Sequence, residues 1–181
     1  MKTYISMLRG INVSGQKKIK MADLRAMFEA AGYSNVRSYV QSGNVIFDAD
    51  SEDSAAVTAA IEAAIMETFG FDVSVFLRDA GDFRRILDGN PYLPRAGVDP
   101  KRLYVTFLRS TPAAELVENT EVPAGSSDEF TVEGDLVYLH CPGGYGTTKL
   151  SNTFFERKLA MPATTRNWNT INALYKMASD T

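Results

Sequence analysis

The sequence predicts an α+β protein, with a ferredoxin-like βαββαβ N-terminal lobe and a second, related and smaller α+β lobe. Three observations lead there. The first 78 residues alternate strand-like and helix-period segments in the order β-α-β-β-α-β. A Pro- and Gly-bearing stretch, Asn90 to Pro100, then interrupts the periodicity. Beyond it, Tyr104-Val105-Thr106-Phe107-Leu108-Arg109 echoes Tyr4-Ile5-Ser6-Met7-Leu8-Arg9 position by position. Two domains are expected, 1–100 and 101–181.

Tyr4 to Leu8 alternates and reads as a strand. A helix follows over Met21 to Ala31, with Met21, Leu24, Phe28 and Ala31 on one face and Gly32 as its stop. Val36 to Gln41 and Asn44 to Phe47 flank Ser42-Gly43 as a hairpin. Ser51 or Asp53 caps the next helix, where Val57, Ile61, Ile65 and Phe69 recur at helical spacing up to Gly70. Val73 to Leu77 is the fourth strand, and Asp79 to Asp88 a trailing helix with Phe83, Ile86 and Leu87 inward. In the second lobe, a short helix over Pro112 to Asn119 takes the place of the first helix. Val132 to Tyr138 echoes the hairpin segment Gln41 to Phe47. Helices over Asn152 to Ala160 and Asn167 to Ala178 end the chain.

At 181 residues, 45% hydrophobic and 23% charged, the chain is able to bury a real core. No apolar run reaches bilayer length and the N-terminus carries no signal-peptide core, so a cytoplasmic protein without membrane association is expected. One cysteine, Cys141, excludes an internal disulfide and fits a reducing compartment. The net charge of −3 is unevenly spread: residues 1–48 carry +4, 49–100 carry −6, 101–140 carry −4 and 141–181 carry +3. Basic ends that meet in space make a positive surface on an acidic protein; ends that scatter do not.

The functional candidates sit mainly in the loop after the first strand. Gly10, four residues, Gly15, Gln16 and Lys17 nearly spell a phosphate loop, but the lysine is one position late and Lys18 fills the hydroxyl position, which rules out nucleotide hydrolysis by that route. Lys17, Lys18 and Lys20 stand just before a helix N-terminus, where the dipole disfavours cations unless an anion intervenes; a solvated basic loop is the alternative. Cys141 to Asn152, with three glycines, hydroxyls and Lys149, also runs into a helix, and Thr164 to Thr170, with Arg166, caps the last one. Three cationic helix starts favour a shared anion site, although each alone is explained by capping. In that site Arg9 and Arg166 are the bidentate anion ligands, Lys17, Lys18, Lys20 and Lys149 point charges, and Asn12, Gln41 and Asn44 orienting hydrogen-bonders.

Four stretches resemble the signatures of the bacterial domain of unknown function (DUF) family 1697. They are Leu8-Arg9-Gly10-Ile11-Asn12-Val13, Lys18-Ile19-Lys20-Met21, Tyr39-Val40-Gln41-Ser42-Gly43-Asn44-Val45, and Thr164-Thr165-Arg166-Asn167-Trp168-Asn169-Thr170. The resemblance covers essentially the whole chain. It implies a cytoplasmic α+β protein of about this length and carries over no activity, substrate or catalytic residue.

Other chemistry finds little support. With one histidine, His140, and one cysteine, the common zinc sites are excluded, and no cofactor is called for. His140 and Cys141 are neighbours on a strand end, so they point to opposite faces and form no nucleophile–base pair. Phe47, Phe76 and Phe107 lack the flanking Lys/Arg of a base-stacking platform and read as core, while Trp168 anchors the last helix. Tyr39, Tyr145 and Tyr175 are left as candidate ligand contacts. The sequence therefore points to a small phosphate- or carboxylate-bearing ligand on a basic surface made by the two ends, with a nucleic-acid-binding module and a non-catalytic protein-interaction module as alternatives. It writes no reaction.

Overall fold

The computed structural model describes residues 1–180. They form two compact units, one of residues 1–85 together with 173–180, the other Ile86–Asn172. In order, the first carries β1 (Lys2–Leu8), α1 (Met21–Ala30), β2 (Ser34–Tyr39), β3 (Asn44–Ala49), α2 (Ser54–Phe69) and β4 (Val75–Asp79). After α3 (Ala80–Gly89), which spans the division, the second carries β5 (Leu103–Leu108), α4 (Ala114–Glu118), β6 (Glu129–Glu133), β7 (Leu136–His140), α5 (Asn152–Leu159) and β8 (Ala163–Asn167). The last helix, α6 (Trp168–Ser179), begins in the second unit and ends in the first. Among the described residues no helix is long and apolar enough to cross a membrane.

Each unit holds a four-stranded antiparallel sheet, ordered β2-β3-β1-β4 in one and β6-β7-β5-β8 in the other. The registers match: Tyr4 faces Phe47 and Asp79, while Tyr104 faces Leu139 and Asn167. The central strands therefore superimpose as their sequences suggest. The hairpin echo is off by one residue, because Phe47 corresponds to Leu139 rather than Tyr138. Four residues join β2 to β3 but only Gly134 and Asp135 join β6 to β7, so matching Gly43 to Gly134 slides the register.

The expectation of a second lobe that closes on two helices, with Thr164 to Thr170 only a cap, is corrected by β8. Ala163 to Asn167 pairs along β5 from Leu108↔Ala163 to Tyr104↔Asn167, completing a second βαββαβ plan. The connector expected to separate the lobes lies inside the second unit, where Tyr92 bonds Thr131 (2.8 Å) and Arg95 ion-pairs with Glu129 (2.9 Å).

In the first unit, Leu24, Met27 and Phe28 of α1 and Val57, Ile61 and Ile65 of α2 bury their helical stripes against Tyr4, Leu8, Val45, Phe47 and Leu77 of the sheet. Phe28, Tyr33 and Phe47 interlock with ring centroids 4.6–5.9 Å apart. In the second, Phe154, Phe155 and Leu159 of α5 cover Tyr104, Leu108, Val137 and Leu139. Helix starts are mostly satisfied by side chains. Asp53 accepts from Ala55 and Ala56 N–H, Ser151 from Phe154 N–H, and Asn167 from Thr170 N–H. Asp79 and Asp82 exchange backbone-to-carboxylate bonds of 2.9 Å at the start of α3. At the start of α1, the Lys20 side chain makes no capping bond.

Candidate functional site

The loop between β1 and α1 is bent far from regular structure. Gly10, Asn12, Ser14, Gly15 and Lys17 all have φ between +44° and +74°, three of them at non-glycine residues. A tight turn closes within it, with Gln16 N–H on the Val13 carbonyl (2.9 Å) and Asn12 N–H on that of Lys17 (3.1 Å). The Asn12 side chain holds the result in place. Its Nδ2 donates to the carbonyls of Ile19 (2.9 Å) and Gln41 (2.8 Å), and its Oδ1 accepts from Ile19 N–H (2.8 Å). The short amide, tolerant of positive φ, thus ties the loop both to its own exit and to the β2–β3 turn.

That turn seats closely. Leu8 N–H donates to the Gly43 carbonyl (2.9 Å), and a Cβ at Gly43, where φ is +85°, would lie 2.8 Å from both Leu8 Cβ and Ile11 Cδ1. Only glycine fits there without displacement. Asn44 is buried behind the turn, its Nδ2 donating to the Tyr39 carbonyl and Ser42 Oγ.

Between loop, turn and helices lies an open cavity of about 600 Å³ lined by Asn12, Gly15, Lys18, Ile19, Lys20, Asp23, Gln41 and Phe69. The sequence-derived residues Asn12, Lys18, Lys20 and Gln41 are gathered here. Lys17 is not: its ammonium donates to the Asp72 carbonyl (2.6 Å), fastening the loop to the segment before β4. Arg9 follows β1, with its N–H on the Ser74 carbonyl, and does not line the cavity. Lys149 and Arg166 belong to the second unit. Asp23 and Phe69 line the cavity but escape the sequence reading. A lysine followed three residues later by an aspartate at a helix start was the available signal for Asp23.

Arg166 is not at a helix start. It lies on β8, only 7% exposed, with Nη1 donating to Thr164 Oγ1 (2.8 Å) and the Thr165 carbonyl (2.9 Å). Burial pushes its guanidinium down to about 10. It faces Val105 as Arg78 faces Ile5, and Arg78 likewise donates to the carbonyl of the residue before it, Leu77 (2.9 Å). The two arginines occupy the same place in the two βαββαβ plans.

A second open cavity of about 670 Å³ is lined by Glu29, Asn35, Val36, Arg37 and Asp48. Asp48 is engaged there by Thr3 Oγ1 and Asn35 Nδ2, each at 2.6 Å. Burial pushes its carboxyl up, but those hydrogen bonds and the charge of Arg37 together hold it below its ordinary value. Arg37 donates to the Met177 carbonyl (2.8 Å), tying the end of α6 to β2.

His140 and Cys141 diverge as alternation requires. His140 Nδ1 meets Glu129 Oε2 at 3.1 Å, and Arg95 holds the same carboxylate. The Cys141 thiol is buried against Thr148 and is pushed up to about 11 by burial, which leaves almost no thiolate near neutrality. Among the described residues, no group of three or more His, Cys, Asp or Glu side chains is placed to hold a metal ion.

The family model described as "Protein of unknown function (DUF1697)" matches residues 1–138, from β1 into β7. The chain belongs to the DUF1697 family. The matched span includes the whole cavity wall from Asn12 to Phe69. A solved structure, described as that of conserved bacterial protein SP0830 from Streptococcus pneumoniae, is 23% identical and aligns over 99% of each chain with a TM-score of 0.74. This likeness shows that the DUF1697 chain shares its two-lobed fold. No curated protein matches the chain.

Proposed function

We propose that this protein binds a small phosphate- or carboxylate-bearing molecule in the cavity bounded by Asn12, Lys18, Lys20 and Gln41. The observation that carries the reading is the cavity wall itself. Lys18 and Lys20 line a space of about 600 Å³, and among the described residues neither ammonium group is engaged by a carboxylate or a hydrogen bond. The volume lies within the range usual for small-molecule sites. Two features support it. The loop is held by Asn12, Lys17 and Gly43 in a conformation with three non-glycine residues at positive φ, a strain that folded chains keep where surroundings enforce it. The lysines act as point charges that follow an anion without fixing its orientation, which leaves orientation to the Gln41 side chain and the Gly15 backbone. Arg9, Lys17, Asn44, Lys149 and Arg166 are not assigned to this cavity.

A thermal-shift screen of the full chain with inorganic phosphate, sugar phosphates, nucleotides and small organic acids tests it. A ligand at about 100 times its Kd stabilises by about 2.7 kcal/mol, or roughly 5–10 °C for a chain of this size. The combined substitution Lys18→Ala and Lys20→Ala is expected to remove most of that shift. No stabilisation by any anion, or a shift that survives the double substitution, contradicts the reading.

A further inference from the structure

Asp23 shares the cavity with the two lysines. Lys20 is the N-cap residue of α1 and Asp23 lies in its first turn, three residues on, near enough along the chain for opposite charges to pair. They do not pair here: among the described residues, no ion pair or hydrogen bond engages the side chain of Lys18, Lys20 or Asp23. One concave wall therefore presents two ammonium groups and one carboxylate, all open to a guest, beside the apolar surface of Ile19 and Phe69. A simple anion satisfies only the first pair and is repelled by the third group.

We infer that the ligand of this cavity is bifunctional: a phosphate or carboxylate joined by a short carbon spacer to an ammonium group that Asp23 receives. The inference rests on the anion-binding reading and adds the charge pattern of the guest. Lys18 and Lys20 take the anionic end, Asp23 the cationic end, and the spacer carbons lie on Ile19 and Phe69. A short spacer of two or three atoms suits groups carried by residues 18, 20 and 23 of one chain segment.

The experiment compares two matched pairs of probes on the full chain by calorimetric titration: O-phosphoethanolamine against ethyl phosphate, and β-alanine against propionate. The phosphate and carboxylate arms show which anion the lysines prefer. Within the preferred arm, the ammonium-bearing member is expected to bind about fivefold tighter, the scale of one partly exposed ion pair. Asp23→Asn is expected to erase that preference and to tighten ethyl phosphate or propionate about twofold by removing the repelling charge. Asp23→Glu is expected to restore it, which separates the role of the charge from any effect on folding. Binding of ethyl phosphate or propionate as tightly as its partner by the unsubstituted protein overturns the inference and leaves anion binding intact. A preference that persists in Asp23→Asn also overturns it. Failure of all four probes to bind overturns the anion-binding reading, and this inference with it.

Discussion

Replacing Asn12 by alanine should loosen the whole cavity wall without touching the lysines. The side chain makes three hydrogen bonds of 2.8–2.9 Å, and two of them serve the backbone of Ile19, which is only 3% exposed. At about 1 kcal/mol net for each bond, with the exposed bond to the Gln41 carbonyl counting least because water replaces it, the loss is about 2–3 kcal/mol. Alanine at a φ of +55° adds about 1 kcal/mol. The total, about 3–4 kcal/mol, corresponds to a fall of roughly 1–2 M in the urea midpoint. Asn12→Gly removes the same bonds but accepts the backbone, so it should be about 1 kcal/mol milder. Asn12→Asp keeps the acceptor for Ile19 N–H but sets a carboxylate against two carbonyl oxygens, and should be no milder than alanine. Equilibrium urea unfolding of the three variants measures all of this. An Asn12→Ala protein within about 0.5 kcal/mol of the parent would refute the clasp.

Three other outcomes follow from the same geometry. Gly43→Ala should cost clearly more than Gly10→Ala, because both have positive φ but only at Gly43 does a Cβ meet Leu8 and Ile11; about 2 kcal/mol or more against about 1, read by thermal unfolding, is expected. The Asp48 carboxyl is held below its ordinary 3.8, so its contribution is present above the unfolded value and is lost as pH falls through the lower folded value. Urea midpoints taken from pH 6 down to about 2.5 should fall less steeply at the acid end in Asp48→Asn than in the parent. Cys141 should resist a disulfide reagent in the folded protein near neutral pH and react freely in urea, since its thiol is buried and pushed up to about 11.

Much of the architecture could be read in the sequence because it rests on periodicity. Val57, Ile61 and Ile65 recur at helical spacing and are buried together, and Tyr4 to Leu8 and Tyr104 to Leu108 occupy the same central place in their sheets. β8 was hidden for the same reason: Ala163-Thr164-Thr165-Arg166-Asn167 has no apolar alternation, and its strand character comes from pairing with β5. At the candidate site, glycine, asparagine and lysine marked the right loop, but not what each side chain does. Asn12 reaches Gln41 across 29 positions and Lys17 reaches the Asp72 carbonyl across 55. Such partners leave no local pattern. The same distance in sequence concealed the grouping of Arg95, Glu129 and His140. Arg166 was misplaced because threonines serve equally well in caps and strands, and only the strand buries a guanidinium.

The proposed anion site lies between the β1–α1 loop and the start of α1. The most direct measurement is an amide NMR titration of the full chain with inorganic phosphate, repeated on the Lys18→Ala, Lys20→Ala protein. Saturable movement of the Gly15, Lys18, Ile19 and Lys20 amides, lost in the double variant, is the predicted result. Amides there that stay still while others around Lys149 move, or that respond identically in both proteins, would contradict it.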